Sequence, residues 1–238
     1  MVFWSLLALH GCTMPSSHDG AVADPPLAPS QAAPTPSAQP VPAPVPAPAF
    51  QPSVRPLGQD QVSRMQGQSH HPGCPVEITD LRAVHMNHWT FEGTLSQGVL
   101  IVHHSHTQTV VDAFAAAFEA RFPFESMQPV SVFEGSDDAS MAANNTSAYN
   151  CRKVKGSTTF SEHSYGRAID VNPVHNPWVR GDRVDPAAGQ TYLERQSLEP
   201  GMLGPDSALV VAFKKAGWGW GGDWSSLKDY QHLSASGR

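Results

Sequence analysis

Two stretches of the chain decide its fold: Ser161-Glu-His-Ser-Tyr-Gly-Arg-Ala-Ile-Asp170 and, further on, Asp229-Tyr-Gln-His232. They contain three residues, His163, Asp170 and His232, whose side-chain nitrogen and oxygen atoms are typical zinc ligands. Three protein ligands leave one coordination position for water, which is what a zinc hydrolase needs. The glycine between the first two ligands lets the chain turn back and present both side chains to one point. This spacing indicates a loop that leads into a strand.

The segment 167–172 has the alternating pattern of a β-strand. Ile169 and Val171 lie on one predicted face of this strand, and Asp170 lies on the other. Because consecutive side chains of a strand point in opposite directions, Asp170 would point away from the apolar face. The pattern therefore leaves its carboxylate available as a ligand.

The rest of residues 57–238 mixes helical and strand patterns, so the predicted fold class is α+β. A β-branched run over 98–103 predicts a strand, and apolar residues at helical spacing predict a helix over 109–122. A second helix is predicted over 207–216, with Asp206 as its N-cap. The remaining predictions are a strand over 128–133, a structured loop over 137–150, and strand and turn over 218–233 that return to the core sheet.

The two motif stretches resemble the D-alanyl-D-alanine carboxypeptidase family of zinc peptidases, which includes vancomycin-resistance carboxypeptidases and phage L-alanyl-D-glutamate endopeptidases. The family pattern is Ser-x-His, a Gly three residues after that His, an Asp seven residues after it, and a later acidic residue three before a second His. All of these elements occur here in order. The segments 145–152 and 217–224 also resemble the branch with endopeptidase-like architecture, and the whole resemblance covers residues 74–233.

This resemblance implies a small α+β fold shared with lysostaphin-type peptidases and the hedgehog signalling domain, with the metal on a central antiparallel sheet flanked by helices. It implies that His163, Asp170 and His232 bind Zn²⁺ and that Asp229 is the general base. Zinc lowers the pKa of its water to roughly 7, and Asp229 would take the proton and pass it to the leaving amine.

The resemblance also implies roles for two further residues. Arg152 would hold the developing oxyanion, and a structural salt bridge is the alternative for it. Ser161 would orient the substrate or a ligand. Glu162, between the motif serine and histidine, is expected to face solvent.

Three functions remain open at this point. The first is a zinc-dependent peptidase that hydrolyses peptidoglycan stem peptides, at a D-Ala-D-Ala terminus or at an internal L-Ala-D-Glu bond. The second is a non-catalytic zinc-binding recognition module of hedgehog-like fold, and Asp229 argues against it because a binding module needs no such acid. The third is a structural envelope lipoprotein. A competing histidine cluster at 103–106 lacks a nearby acidic partner and is interpreted as a polar patch at the end of a strand.

The N-terminal quarter of the chain has the composition of a targeting segment followed by a linker. Residues 1–24 resemble a signal peptide or lipoprotein-like N-terminus, in which Cys12 would be lipidated and anchor the chain to a membrane. An ordinary signal peptide or a disordered tail is the alternative. Residues 25–56 hold 12 of the 22 prolines and almost no charge, which predicts a disordered Pro/Ala-rich linker. Residues 57–238 would be the zinc peptidase domain of an exported protein, in the cell envelope or outside the cell.

The cysteines are consistent with export. Without Cys12 the chain has one pair, Cys74 and Cys151, which we expect to form a disulfide in an oxidising compartment. Two buried free thiols are the alternative.

The charge limits the class of partner. The net charge is −6, and residues 57–238 carry −5 of it, so a nucleic-acid partner is disfavoured. The expected partner is the peptidoglycan peptide substrate, and we expect a monomer.

Overall fold

The computed structural model describes residues 47–238. The predicted segment 1–24, its Cys12 and most of the predicted linker lie outside the described residues. Within the part of the chain that is described, no helix is both long and apolar enough to cross a bilayer.

Residues 47–238 form an α+β domain, as the sequence predicts. The helices are α1 (Gln59–Met65), α2 (Thr107–Glu119), α3 (Asp137–Ala142) and α4 (Ala208–Lys215). The strands are β1 (Ser53–Pro56), β2 (Leu81–Trp89), β3 (Leu95–His103), β4 (Ser126–Met127), β5 (Asn145–Thr146), β6 (Ala168–Asp170), β7 (Trp178–Arg180), β8 (Arg183–Asp185), β9 (Gly219–Trp220), β10 (Lys228–Asp229) and β11 (His232–Ser234). Several short 3-10 helices connect these elements, and one of them, Glu162–Tyr165, contains the first motif histidine.

The first sheet consists of β1, β2 and β3 in that order, and all its strands are antiparallel. Val84 and Met86 of β2 alternate onto one face, where they pack in the main core together with Val110 and Phe114 of α2. The strand predicted over 98–103 is the second half of β3. The predicted helix over 109–122 is confirmed as α2, displaced by two to three residues at each end.

The second sheet has the order β6-β11-β9 and brings the two motif stretches together. In the antiparallel pairing of β6 with β11, Asp170 lies opposite His232 and Ile169 lies opposite Leu233. Ile169 and Leu233 are fully buried in the main core. Asp170 and His232, on the other side of the strands, line a cleft. The strand predicted over 167–172 is therefore present, with its aspartate on the predicted side.

A third small sheet forms one wall of the same cleft. The hairpin of β7 and β8 pairs along β7 with β10, so that Trp178 lies opposite Asp229. The segment 218–233 thus contributes strands to two sheets, as strand and turn were predicted there.

The prediction of a strand over 128–133 is wrong. Only Ser126–Met127 pairs as a strand, and Val130–Phe133 is a 3-10 helix that ends at Glu134 in the left-handed conformation (φ 55°). Pro129 separates the two segments, and proline cannot donate a hydrogen bond to a strand ladder.

The structured loop predicted over 137–150 is also corrected, because it contains α3 and β5. The Oγ of Ser136 accepts a hydrogen bond from the backbone N–H of Ala139 (3.1 Å) and caps the helix. Asp137 and Asp138 follow in the first turn, where negative charge is favourable. Both signals were present in the sequence, without an apolar stripe long enough to show the helix.

Two predicted boundaries shift. The N-cap of α4 is Ser207, not Asp206, and the Ser207 side chain accepts a hydrogen bond from Gly204. Residues 47–56, assigned to the linker, lie against the domain: Phe50 packs near Phe118 with ring centroids 5.5 Å apart, and β1 pairs with β2. Prolines are tolerated there because β1 is an edge strand.

Cys74 and Cys151 are joined by a disulfide, with Cα atoms 5.9 Å apart. The bridge belongs to a second, smaller core cluster that also contains Met65, Leu81 and Tyr149. Because Cys151 directly precedes Arg152, the disulfide also fixes the backbone that carries this arginine.

Candidate metal centre

The three predicted ligands converge on one point. Nε2 of His163 lies 3.1 Å from Oδ2 of Asp170, and Nδ1 of His232 lies 3.0 Å from Oδ1 of the same carboxylate. The two ring nitrogens are 3.3 Å apart. All three side chains are buried, with residue exposures of 3% to 7%. The structure therefore places one predicted ligand on a 3-10 turn and two on neighbouring strands.

Gly166 makes this convergence possible. It ends the 3-10 turn of His163 in the left-handed conformation (φ 63°), and the chain then enters β6. A Cβ at this position would lie 2.6 Å from the backbone nitrogen of His103, too close for any side chain. Only glycine satisfies both the conformation and the close approach to β3.

Backbone carbonyls fix the tautomers of both histidines. Nδ1 of His163 donates to the carbonyl of Ala148 (2.6 Å), and Nε2 of His232 donates to the backbone oxygen of Arg238 (2.8 Å). The nitrogens that face Asp170 are therefore unprotonated in the neutral rings. Such a second hydrogen bond is the usual support of a metal-binding histidine.

This donor set fits Zn²⁺. Two ring nitrogens and a carboxylate oxygen point at one another within 4.8 Å, and their lone pairs repel unless a positive charge lies between them. His71, Cys74 and Cys151 are also close together, but the disulfide uses both of these sulfurs.

The electrostatics favour positive charge at the same point. Burial opposes charging of His232, but the hydrogen bond and charge of Asp170 outweigh it and raise the pKa of His232 to about 9. Burial likewise opposes ionisation of Asp170, yet the two histidines hold the pKa of Asp170 well below its usual range. The site is therefore an anion that attracts a proton or a metal ion, and the two compete for it.

Asp229 lies in the same cleft on β10 and makes no hydrogen bond to the three ligands. Its Oδ1 is buried and has no hydrogen-bond partner among residues 47–238. Burial raises the pKa of Asp229 to about 7, with the charge of Asp170 acting in the same direction. Gly221 lets β10 approach, because a Cβ there would lie 2.8 Å from Cβ of Asp229. A buried carboxyl group that titrates near neutrality is suited to proton transfer.

Arg152 also lines the cleft. Its Nη2 forms a 2.7 Å salt bridge with Asp137, and its Nε is buried without a hydrogen-bond partner in the described part of the chain. Ser164, which sequence reasoning missed, ties this segment to the ligand turn. Its Oγ accepts from the backbone N–H of Arg152 (2.9 Å) and donates to the Arg152 carbonyl (2.8 Å). Only its place beside His163 in the motif could have indicated it.

Ser161 caps the 3-10 turn, because its Oγ accepts from the backbone N–H of His163 (3.4 Å). It lines the cleft as well, so both predicted uses, orienting a ligand and contacting substrate, remain open to it. Glu162 does not face solvent as predicted. It forms a 2.7 Å salt bridge with Arg167, and its side chain is only 17% exposed.

The histidine cluster at 103–106 lies where β3 ends. His103 is the last residue of the strand, and His104–His106 forms a 3-10 turn rather than continuing the strand. Nδ1 of His103 is hydrogen-bonded to Oγ of Ser105 (2.7 Å). Among the described residues, the ring nitrogens of these three histidines do not meet at one point as the side-chain atoms of the three motif residues do.

The site opens into a cleft of about 620 Å³. Its walls include the loop that follows Arg152, the β7–β8 hairpin and Trp224. The cleft thus contains the ligand set, Asp229, Arg152 and Ser161, which is every predicted site residue apart from the two disulfide cysteines.

Comparison with known proteins agrees with this geometry. Residues 155–235 match the family model described as D-alanyl-D-alanine carboxypeptidase. No curated protein and no solved structure matches the chain significantly. The matched segment contains His163, Asp170, Asp229 and His232, while Arg152 lies just before it. The match supports a peptidase of the D-Ala-D-Ala carboxypeptidase type and confirms the resemblance of residues 155–235 to the D-alanyl-D-alanine carboxypeptidase family.

Proposed function

We propose that this protein is a zinc metallopeptidase that hydrolyses peptidoglycan stem peptides. The family match supports a peptidase, and the three converging N/O ligands support zinc. The observation that carries the catalytic part of the proposal is Asp229. Its Oδ1 is buried in the cleft of the proposed ligands and has no hydrogen-bond partner among the described residues, which a purely structural or binding role does not require.

Each residue of the cleft then has a task. Zn²⁺ at His163, Asp170 and His232 would supply Lewis-acid chemistry to a carbonyl and a water molecule. Asp229 accepts a proton from the attacking water and returns it to the leaving amine.

The polarised carbonyl oxygen of the substrate is steadied by Arg152. The salt bridge to Asp137 holds the guanidinium in place through Nη2 and leaves Nε without a hydrogen-bond partner among residues 47–238. The buried Ser164 side chain hydrogen-bonds to the backbone N–H and carbonyl of Arg152, which limits the movement of this residue.

The proposed setting is the cell envelope. A disulfide is typical of exported proteins, and Cys74–Cys151 is consistent with that compartment. Lipidation at Cys12, followed by a Pro/Ala-rich tether, would let a membrane-anchored domain reach peptide substrates in the wall.

The experiment is digestion of purified muropeptides by the zinc-loaded full chain, with the products identified by mass. Chelation should abolish the activity and added Zn²⁺ should restore it. The mass of the released fragment distinguishes loss of a terminal D-Ala from cleavage between L-Ala and D-Glu. A folded, zinc-loaded chain that leaves muropeptides intact would instead be the non-catalytic zinc-binding module.

A further inference from the structure

We propose that Arg180 and Arg183, at the tip of the β7–β8 hairpin, form a subsite that binds a carboxylate of the substrate. The inference deepens the proposed function, on which it rests, and names the substrate class as acidic peptides. Both arginines line the cleft that contains the metal ligands.

The two arginines face each other across the hairpin. In its antiparallel register Arg180 lies directly opposite Arg183. Like charges directly opposite on neighbouring strands destabilise a pair of strands. Asp182 lies in the turn between them but forms no salt bridge with either arginine among the described residues, so an anion bound between the guanidinium groups would still offset the repulsion.

Among residues 47–238, one of these two arginines forms a salt bridge and the other does not. Arg183 forms a 3.1 Å salt bridge with Asp185 and lies over the ring of Trp178, 5.4 Å from its centroid. Arg180 has no carboxylate partner among residues 47–238, whereas two other cations of the cleft, Arg152 and Lys155, are each paired with an aspartate. Asp182 and Asp185 bring the formal charge of residues 180–185 to zero, but neither forms a salt bridge with Arg180, so this guanidinium stays unpaired at the cleft.

Strand β7 sets the distance between the hairpin tip and the proposed catalytic residue Asp229. Trp178 lies opposite Asp229, and Arg180 follows two residues later on the same side of the strand. Two residues of a strand span about 7 Å, so the subsite would lie roughly one or two substrate residues from the scissile bond. A stem peptide bound along the cleft could thus place a carboxylate at the tip while its peptide bond lies at the metal site.

The chemistry favours a carboxylate over a neutral group. A guanidinium offers two parallel N–H donors that match both carboxylate oxygens, and it stays charged at any working pH. A carboxamide of the same shape offers one acceptor and no charge. The subsite should therefore discriminate between a stem peptide with the free carboxylate and the same peptide with that group amidated.

The test compares a synthetic stem peptide with analogues in which each of its free carboxylates is amidated in turn. Wild-type enzyme should cleave one of these analogues with a kcat/KM about 10-fold lower, mainly through KM. That difference should vanish in Arg180→Gln/Arg183→Gln, and Arg180→Lys should retain part of it. Arg64→Gln, which removes the same charge from the exposed surface of α1, should leave the discrimination unchanged.

Binding provides a readout that does not depend on turnover. Zinc-loaded Asp229→Asn should bind the unmodified peptide about 10-fold more tightly than the discriminated analogue in calorimetry, and the added double substitution should remove the difference. This result would support the subsite even if the wild-type chain cleaved neither peptide, which would contradict only the proposed function. Equal binding of all the peptides, or discrimination that survives the double substitution, would overturn the subsite.

Discussion

Asp170 and His232 lie directly opposite each other on β6 and β11, and the carboxylate of Asp170 contacts a different histidine with each of its oxygens. One strand pair and one turn that ends at Gly166 thus bring all three predicted ligands together. Because the buried side of the same strands holds Ile169 and Leu233, the core and the candidate metal site favour the same register. A slip by one residue would move both ligands to the wrong side of the sheet.

Zinc binding should depend on each histidine of this set. We expect about one Zn²⁺ per wild-type chain, and His163→Ala should lose it because two remaining ligands hold the ion weakly. His104→Ala, an exposed histidine at the end of β3, is the matched control and should retain full occupancy. Elemental analysis after dialysis measures the ratio. Full occupancy in His163→Ala would show that the ligand assignment is wrong.

Substitution of Gly166 should destabilise the fold far more than substitution of a glycine of similar conformation elsewhere. Gly166→Ala and Gly156→Ala both place an alanine in the left-handed region, at a cost of about 1 to 2 kcal/mol. At Gly156 the Cβ would meet open space, but at Gly166 it would meet the backbone of β3. Gly166→Ala should therefore lower the free energy of unfolding by at least about 2 kcal/mol more, as measured by urea denaturation. Equal losses would contradict the close approach.

The disulfide should contribute strongly to stability. Its cysteines are 77 residues apart, and closing a loop of that size stabilises a fold by about 4 kcal/mol in the chain-entropy account. Cys74→Ser/Cys151→Ser should lower the free energy of unfolding by about that amount. Peptide mapping without reduction should find the two cysteines linked in protein made in an oxidising compartment. Two free thiols there would refute the pairing.

The meeting of His163 and Asp170 could be predicted because the two residues are close in the sequence and the strand that carries Asp170 has a clear period. Ile169 and Val171 identify the buried side of β6, so the side that carries Asp170 follows. The family resemblance implied only that the metal lies on a central antiparallel sheet, and the pairing that places His232 opposite Asp170 was not predicted. The residues between the two stretches contain no signal for that register.

The features that could not be predicted depend on distant contacts. No pattern in the sequence shows that Gly221 must approach Asp229, or that the Ala148 carbonyl fixes the tautomer of His163. The short elements could not be predicted for another reason. The six residues of α3 and the 3-10 turn at Val130–Phe133 are too short for a period to show, so their caps and Pro129 decide the structure.

Arg152 can be tested for a catalytic role against a structural one. Its salt bridge with Asp137 is partly exposed, so breaking it should cost less than about 1 kcal/mol of unfolding free energy. We expect Arg152→Gln to reduce kcat on muropeptides about 100-fold with this small loss of stability. Asp137→Asn, which removes the partner and keeps the guanidinium, should reduce kcat much less. Similar losses of activity in both variants would make the salt bridge, and not the guanidinium, the important feature.

The most direct test of the account is the turnover of muropeptides by Asp229→Asn at full zinc occupancy. An amide cannot accept the proton that the mechanism requires, and general-base catalysis contributes about 10²- to 10⁴-fold. The variant should keep one zinc ion and the wild-type fold and lose activity within about that range, while Asp206→Asn, an exposed aspartate before α4, keeps both metal and activity. Wild-type turnover in zinc-loaded Asp229→Asn would contradict the proposed mechanism.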